Sequence, residues 1–358
     1  MDKKTIISEI LRAPIAAACL IGMVGVVGAA SASDKVVVSA SLGSLVVPTS
    51  TGLTVQHTFA GLTEPITGIG LAGRYVTQSG DFTDGLGPWS LDVRLASTAP
   101  GGGSFAWNPI GGDVTIADYP LQDGANGLPS VAGDGTWTFG FDSTTPQSNW
   151  TYRIDSAVVY LLADAPDVSF AYDATPDPAN QWNRPFYIEG VSGLGPVAYH
   201  AIEFTVDVSG VYDLTSILSN SDNHFTFLYK DGFDPTLPLQ NLLDYGLGNG
   251  FSPFGDPKGT SHISALLLQG QTYFWVTSQW ANSSSIALSS NTIVGPGTVT
   301  LAIDCPADTN HDGSLTPADF TAWIAAFNAG ASECDQNSDG ACDPTDFTAW
   351  IANFNAGC

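Results

Sequence analysis

Positive charge is what this chain of 358 residues has least of: ten Lys and Arg stand against 35 Asp and Glu, a formal net charge of −25. So acidic a chain offers little with which to neutralise phosphate, and nucleic acid is excluded as a partner. Methionine is nearly absent, at two residues, and charged residues of both signs make up only 13%. With 44% hydrophobic residues and nine Trp the chain can nevertheless build substantial cores, so its acidity does not imply disorder. Long stretches with apolar residues at helical spacing are missing over most of the length. Short catalytic motifs are missing too. There is no G-x-S-x-G elbow and no H-E-x-x-H pair, and the five His (His57, His200, His224, His262, His311) are scattered. The run Ser221–His224, SDNH, brings triad residue types together, but a triad is assembled from separate segments, so adjacency counts against it.

Cysteine is also scarce. Of five, Cys19 lies in an apolar run, APIAAACLIGMVGVVGAA, which follows Lys3, Lys4 and Arg12 and ends at Ala30-Ser31-Ala32. That order reads as a secretory signal peptide over residues 1–32. A retained membrane anchor is the rival, since the run approaches spanning length; its Ala and Gly content and the small-x-small ending favour removal. No later segment is apolar enough to span a bilayer. The expectation is a secreted protein, extracellular or held at a bacterial cell surface. Removing the leader takes three of ten basic and two of 35 acidic residues, leaving 7 minus 33, or −26. Four cysteines remain, Cys305, Cys334, Cys342 and Cys358, an even number that in an exported chain points to disulfides.

What is present from about residue 35 to 300 is one repeated texture: short β-branched and aromatic runs closed by Gly, Pro, Asn, Asp and Ser. WSLDVRL, GTWTFGFD, WTYRIDSAVVYLL, AIEFTVDVSGVYDL, HFTFLYK and TYFWVTSQW all read as strands. The expected fold is therefore mainly β, two sandwich or jelly-roll domains over residues 33–165 and 180–303. The Pro- and Asp-rich stretch 166–179 reads as a linker between them. A single large sandwich with a long loop is the alternative.

At residue 304 the texture changes. Residues 304–358 hold nine acidic residues, no Lys or Arg, and a tandem repeat, DTNHDGSLTPADFTAWIAAFNAG followed by DQNSDGACDPTDFTAWIANFNAG, in which Asp308 corresponds to Asp335 and Asp319 to Asp346. A hard cation such as Ca2+ takes about six to eight oxygens, which a loop supplies by alternating carboxylates and amides around a glycine turn. Asp308, Asn310 and Asp312 occupy positions 1, 3 and 5, Gly313 position 6, the Ser314 carbonyl position 7, Thr316 position 9 and Asp319 position 12. The second copy offers Asp335, Asn337, Asp339, Gly340, Ala341, Asp343 and Asp346 in the same places. Position 12 is Asp where an EF-hand usually has Glu. Each loop leads into a helix, with Thr316 and Asp343 as N-caps and Pro317 and Pro344 at the first helical position. Phe320, Trp323, Ile324 and Phe327, repeated as Phe347, Trp350, Ile351 and Phe354, form stripes expected to pack face to face as a small core. Two ions are expected, one per loop.

Neither loop is preceded by a helix of EF-hand spacing. Loop plus following helix, duplicated at residues 305–358 and ending FNAGC, resembles a dockerin of the Gly-Cys-terminated bacterial type. The resemblance implies a module that folds on calcium and docks onto a cohesin-like partner or otherwise anchors the protein at the surface. At the helix starts, where dockerins commonly choose partners, this chain has Pro317-Ala318 and Pro344-Thr345 rather than a hydroxyl pair. The repeat also bears on the disulfides. Cys334 and Cys342 flank the second loop, and their counterparts Ala307 and Leu315 are both non-cysteine, so Cys334–Cys342 is the preferred pair, leaving Cys305 with Cys358 across the module; four cysteines allow three pairings.

Upstream, WSLDVRL with Trp89 and Leu91, then GDGTWTFGFDSTTPQSNWTYRIDSAVVYL, resembles P-domain-like jelly rolls of secreted bacterial proteins. Residues 180–300, through YHAIEFTVDVSGVYDL, FTFLYKDGFDPTLPLQNLL and SHISALLLQGQTYFWVTSQW, resemble pre-peptidase C-terminal β-sandwiches. Such modules are accessory domains and imply a fold rather than an activity. The expected function is non-catalytic display of β-sandwiches through a calcium-dependent dockerin. The alternative is a glycan-binding or polysaccharide-degrading component of a dockerin-assembled complex, with a carboxylate pair for glycoside hydrolysis left open. Exposed Trp among Trp107, Trp137, Trp150, Trp182, Trp275 and Trp280 would favour the alternative; interior Trp would favour display. Asp231, Asp234 and Asp244 are weaker candidates for a structural cation than for loop acids.

Overall fold

The computed structural model describes residues 33–79, 93–108, 119–126, 129–146, 149–186, 190–251, 255–301, 306–310, 315–337 and 339–356. Residues 1–32, expected as a signal peptide, and Trp89, Leu91, Cys305, His311, Asp312, Gly313, Ser314 and Cys358 lie outside the described residues. The strands are β1 (Ser33–Pro48), β2 (Leu53–Phe59), β3 (Gly68–Ser79), β4 (Val93–Thr98), β5 (Ser104–Trp107), β6 (Tyr119–Ala125), β7 (Gly135–Ser143) and β8 (Thr151–Ala165). They continue as β9 (Val168–Ala174), β10 (Asp177–Trp182), β11 (Pro185–Phe186), β12 (Gly190–Val191), β13 (Val197–Val206) and β14 (Gly210–Leu218). Last come β15 (His224–Lys230), β16 (Leu242–Leu247), β17 (Thr260–Leu267), β18 (Tyr273–Gln279), β19 (Ser289–Gly295) and β20 (Val299–Leu301), followed by helices α1 (Pro317–Ala329) and α2 (Pro344–Ala356). The protein is thus mainly β, with several antiparallel sheets and two short helices. None of its described helices is long and apolar enough to cross a membrane.

Alternation makes the first core. In β7, GTWTFGFDS, the side chains of Trp137, Phe139 and Phe141 point one way and are fully buried, while the residues between them face outward. The sheet β2-β7-β4-β5 carries this apolar face against β6-β3-β8-β1, whose Leu45, Ile69, Leu71, Tyr75, Ile154 and Leu161 close the same core. Each such aromatic or aliphatic side chain contributes about 1.5–3 kcal/mol when withdrawn from water.

The second core lies between β14, β17, β19 and β9 on one side and β10-β13-β18-β15-β16 on the other, filled by Phe204, Tyr212, Leu214, Leu228, Trp275 and Ile293. Strand β15 is buried on both faces, since Phe225, Phe227 and Tyr229 pack into a third cluster with Trp182 and Leu242. Arg184 is fully buried there: its guanidinium donates to the Trp280 and Pro185 carbonyls and lies 4.2 Å from the centroid of Phe225.

The two halves share a sheet. Strand β1 pairs with β8 along its length and meets β14 at Lys35 opposite Gly210, where Val36 N–H donates to the Ser209 carbonyl at 2.7 Å. Only glycine fits at 210, because a Cβ there would run into the Asp34 carbonyl and the Pro296 ring. Behind this crossing Leu162, Val211 and Leu266 form a small buried cluster, and the Gln122 side-chain amide donates to the Leu266 carbonyl at 2.8 Å and to the Tyr273 hydroxyl at 2.6 Å.

Residues 166–179, expected as a linker, instead carry β9 and the start of β10, both at sheet edges. Edge strands hydrogen-bond on one side only and tolerate Asp and Pro that a central strand does not, which is why their composition resembles that of a connection.

Candidate metal centre in the C-terminal repeat

Helix α1 starts where its sequence says it should. The Thr316 side chain accepts from Ala318 N–H at 3.2 Å, and the Asp319 carboxylate reaches back to accept from Thr316 N–H at 2.7 Å, a complete capping box. Gly330, at φ 63°, closes the helix in the left-handed conformation that glycine adopts without strain. In α2 the same roles fall to Asp343 and Asp346: Thr345 N–H donates to Asp343 at 2.7 Å and Asp343 N–H to Asp346 at 2.8 Å.

The position-12 acids do more than cap. Asp319 also accepts from Asn310 N–H at 3.4 Å, and Asp346 from Asn337 N–H at 3.2 Å and Gln336 N–H at 2.9 Å, so each fully buried carboxylate ties the start of its loop to the start of its helix. In the second loop Asp335 accepts from Asp339 N–H at 3.1 Å and Gly340 N–H at 2.9 Å, and the Asn337 side chain accepts from Asp339 N–H at 2.9 Å. These bonds curl the chain around the side chains of positions 1, 3 and 5, with Gly340 at φ 84° making the turn.

The two copies lock together reciprocally. Trp323 of α1 donates its indole N–H to the Cys334 carbonyl at 3.1 Å, and Trp350 of α2 donates to the Ala307 carbonyl at 3.2 Å. Trp323 and Trp350 are equivalent in the repeat, as are Ala307 and Cys334, so each helix grips the residue before the other copy's loop. Phe320 lies 5.0 Å from Trp350 and Phe347 5.6 Å from Trp323, ring centre to ring centre, completing the exchange. The expected core thus forms around both Trp. The apolar stripe does not close completely: Ile324, Phe347 and Ile351, expected inside, are 40%, 40% and 41% exposed, because two short helices meeting along one seam leave the outer flank of each stripe in water. Cys334 and Cys342 are joined by a disulfide with Cα atoms 5.6 Å apart, within the span such a bond needs.

Electrostatics test whether these residues suit a cation. Burial works against the Asp319 carboxylate, yet hydrogen bonds donated by Thr316 and Asn310 outweigh it and hold its pKa below the ordinary value. The Thr345 hydroxyl and N–H do the same for Asp343. The side chains of Asp308 and Asp319, positions 1 and 12 of one loop, lie within reach of each other, and no Lys or Arg occurs anywhere in residues 304–358 to balance them. An all-oxygen donor set with two carboxylates within reach of each other and no resident counter-charge fits a hard divalent ion. Among the described residues, which include all six candidate ligands of the second loop but not Asp312 and Ser314 of the first, no three or more His, Cys, Asp or Glu side chains stand together at metal-binding spacing.

No protein-family model matches the chain. No curated protein matches it either. Among solved structures it is similar to the tandem CBM22-1–CBM22-2 domain of Paenibacillus barcinonensis Xyn10C, at 11% identity over 76% of this chain and 99% of that one, with a TM-score of 0.19. It is likewise similar to N-glycanase F, at 9% identity over 74% and 98% of the two chains with a TM-score of 0.22. A third similarity is to the isomalto-dextranase of Arthrobacter globiformis T6 complexed with panose, at 10% identity over 70% of this chain and 34% of that one, with a TM-score of 0.20.

In the β region the structure disposes of several sequence candidates. Trp137, Trp150, Trp182 and Trp275 are buried and Trp107 and Trp280 half-buried, so no described Trp forms an exposed sugar platform. His224 is buried with its ring 3.2 Å from the Ser216 hydroxyl, and Ser221 and Asp222 belong to the turn before β15, so SDNH is not a triad. Asp234 caps its own turn through Thr236. One constellation escapes sequence reasoning altogether. Asp123 on β6 and Asp244 on β16 lie close enough to interact where the two halves meet; burial, and for Asp123 also the neighbouring Asp244, push them up to about 8 and about 7. The Trp107 indole donates to Asp123 at 3.3 Å, and His262 nearby sits 3.5 Å from Asp213 and 3.7 Å from Asp256. These residues come from separate strands, and no local motif links them.

Proposed function

We propose that the C-terminal repeat is a dockerin-like module that folds around two calcium ions and holds an exported, non-catalytic β-sandwich protein to a surface or assembly partner. The observation that supports this is the reciprocal, repeat-related hydrogen bonding just described, in which both position-12 acids, both Trp and both loop starts play matched parts. Asp308, Asn310, Asp312, the Ser314 carbonyl, Thr316 and Asp319 would hold one ion. Asp335, Asn337, Asp339, the Ala341 carbonyl, Asp343 and Asp346 would hold the other. The ion supplies the positive charge that the module lacks. The protein residues supply the oxygens, the buried anchor at position 12 and the helix caps that position them. Ile324 and Ile351, exposed at equivalent places on the two helices, offer a cohesin-like receptor paired apolar contacts. The interior placement of the described Trp residues favours display over stacking on neutral sugars.

Calcium titration of the whole protein by calorimetry tests the reading: near two ions per chain are expected, falling to one in Asp319→Asn and in Asp346→Asn. Capture on an immobilised cohesin in calcium and release in EGTA is the expected docking behaviour. Absence of calcium-dependent heat in the intact protein would sink the proposal.

A further inference from the structure

The seam between the two sandwiches contains a cavity of about 460 Å³, within the range of small-ligand sites. Arg74 and Pro120, register partners on β3 and β6, form one wall. Lys230, Asp231, Gln240 and Asn241, where β15 passes into β16, form the other. Neither half makes this cavity alone.

Its chemistry differs from that of the rest of the molecule. Seven Lys and Arg remain beyond the leader in an otherwise acidic chain, and two of them, one from each sandwich, meet here. The nearby Asp155 carboxylate is held below the ordinary range chiefly by its hydrogen bonds from Arg153, and only in lesser part by the charge of Arg74. Burial lowers the Lys230 pKa and adjacent Asp231 partly restores it, so the ammonium is half withdrawn from water and gains more from an anion than a solvated lysine does. Gln240 and Asn241 add amide donors and acceptors, and Leu239 lines the same wall as a 40% exposed apolar surface.

The rim is also preorganised. Asp231 and Asn241, both non-glycine, hold φ 62° in the left-handed region. Asp231 N–H donates to Thr272 at 2.8 Å, Lys230 N–H to Asn241 at 3.0 Å, and the Asn241 amide to Gly232 at 3.3 Å, which fixes that conformation. Asp and Asn enter this region more readily than other non-glycine residues, so the rim holds its shape at little cost in strain.

We infer that the inter-sandwich cavity binds an acidic saccharide, a short uronic-acid oligomer whose carboxylate is gripped by Arg74 and Lys230 and whose hydroxyls meet Gln240 and Asn241. Recognition rests on charge-assisted hydrogen bonds rather than on stacking, in keeping with the absence of an exposed described Trp. The site is independent of the C-terminal module, so its failure and that of the calcium reading are separately visible.

The test is calorimetric titration of the whole protein with trigalacturonate, cellotriose and inorganic phosphate. Trigalacturonate is expected to bind, more weakly as salt rises, and cellotriose not to bind. Arg74→Gln and Lys230→Gln, on opposite walls, should each weaken trigalacturonate by roughly tenfold while leaving the thermal midpoint within a few degrees. No heat with trigalacturonate, or unchanged affinity in both folded variants, overturns the proposal. Phosphate binding as tightly as trigalacturonate, with the same response to both variants, overturns its saccharide part and leaves a simple anion site.

Discussion

The β region and the C-terminal repeat meet the same requirement, a packed interior, by opposite means. Between Ser33 and Leu301 the chain withdraws whole faces of Trp, Phe, Tyr and Leu from water, and strands distant in sequence complete one another's sheets. From Ala307 to Phe354 two helices of 13 residues share a core of two buried Trp and their neighbours, too little apolar surface to stand alone. The small module compensates with fixed polar geometry: position-12 acids, reciprocal indole bonds, a disulfide and, in our proposal, calcium. A large core tolerates loss of any single polar contact, whereas a small one concentrates its stability in a few ligands.

Chelation breaks this comparison most sharply. Hydrogen exchange on the whole protein in EGTA should show amide protection collapse across α1 and α2 while β7 and β18 stay protected; helices protected to the same degree with and without the ion would mean the module has sufficient core of its own. Substitutions in the large cores come next. Trp275→Ala or Trp137→Ala should each cost roughly 3–5 kcal/mol in denaturant unfolding, as expected for a buried indole. Because β1 joins both halves through Lys35 and Gly210, each substitution should shift one common β transition; two separate transitions would show the seam to be weak.

A smaller effect distinguishes the regions by pH. Burial holds the His224 ring neutral, with its pKa lowered to about 4. The unfolded chain takes up that proton below about pH 6.5 and the folded one does not, so stability is fully present above 6.5 and is lost as pH falls toward 4, by up to about 3 kcal/mol. Thermal midpoints of the β transition at pH 7 and pH 4.5 should differ less in His224→Gln than in the parent. Smallest is the disulfide. Closing a loop between cysteines eight apart removes little chain entropy, so Cys334→Ser with Cys342→Ser should cost the module about 2–3 kcal/mol at fixed calcium, read from its unfolding midpoint.

Several of these features are legible in the amino-acid sequence. The inward alternation of Trp137, Phe139 and Phe141, the capping of α1 by Thr316 and Asp319, the equivalence of the two loops and the Cys334–Cys342 pair are local, each set by residues within a few positions of one another. Ile324 and Ile351 depart from expectation because periodicity marks an apolar stripe without telling how much of it a partner helix covers. Residues 166–179 pass for a linker because an edge strand need not alternate. Arg184, buried among rings and carbonyls, and the pair Asp123 and Asp244 carry no signature in their own neighbourhoods.

The amino-acid order by itself determined the mainly β character, the acidic balance and the duplicated loop-helix unit, since strand alternation, charge and capping act over short chain distances. The tertiary structure alone decided that β1 and β14 join the sandwiches, that Trp323 and Trp350 exchange partners across the repeat, and that Arg74 and Lys230 face one cavity. Those outcomes depend on which distant surfaces pack together, and packing is settled by the summed burial of whole faces rather than by any short motif.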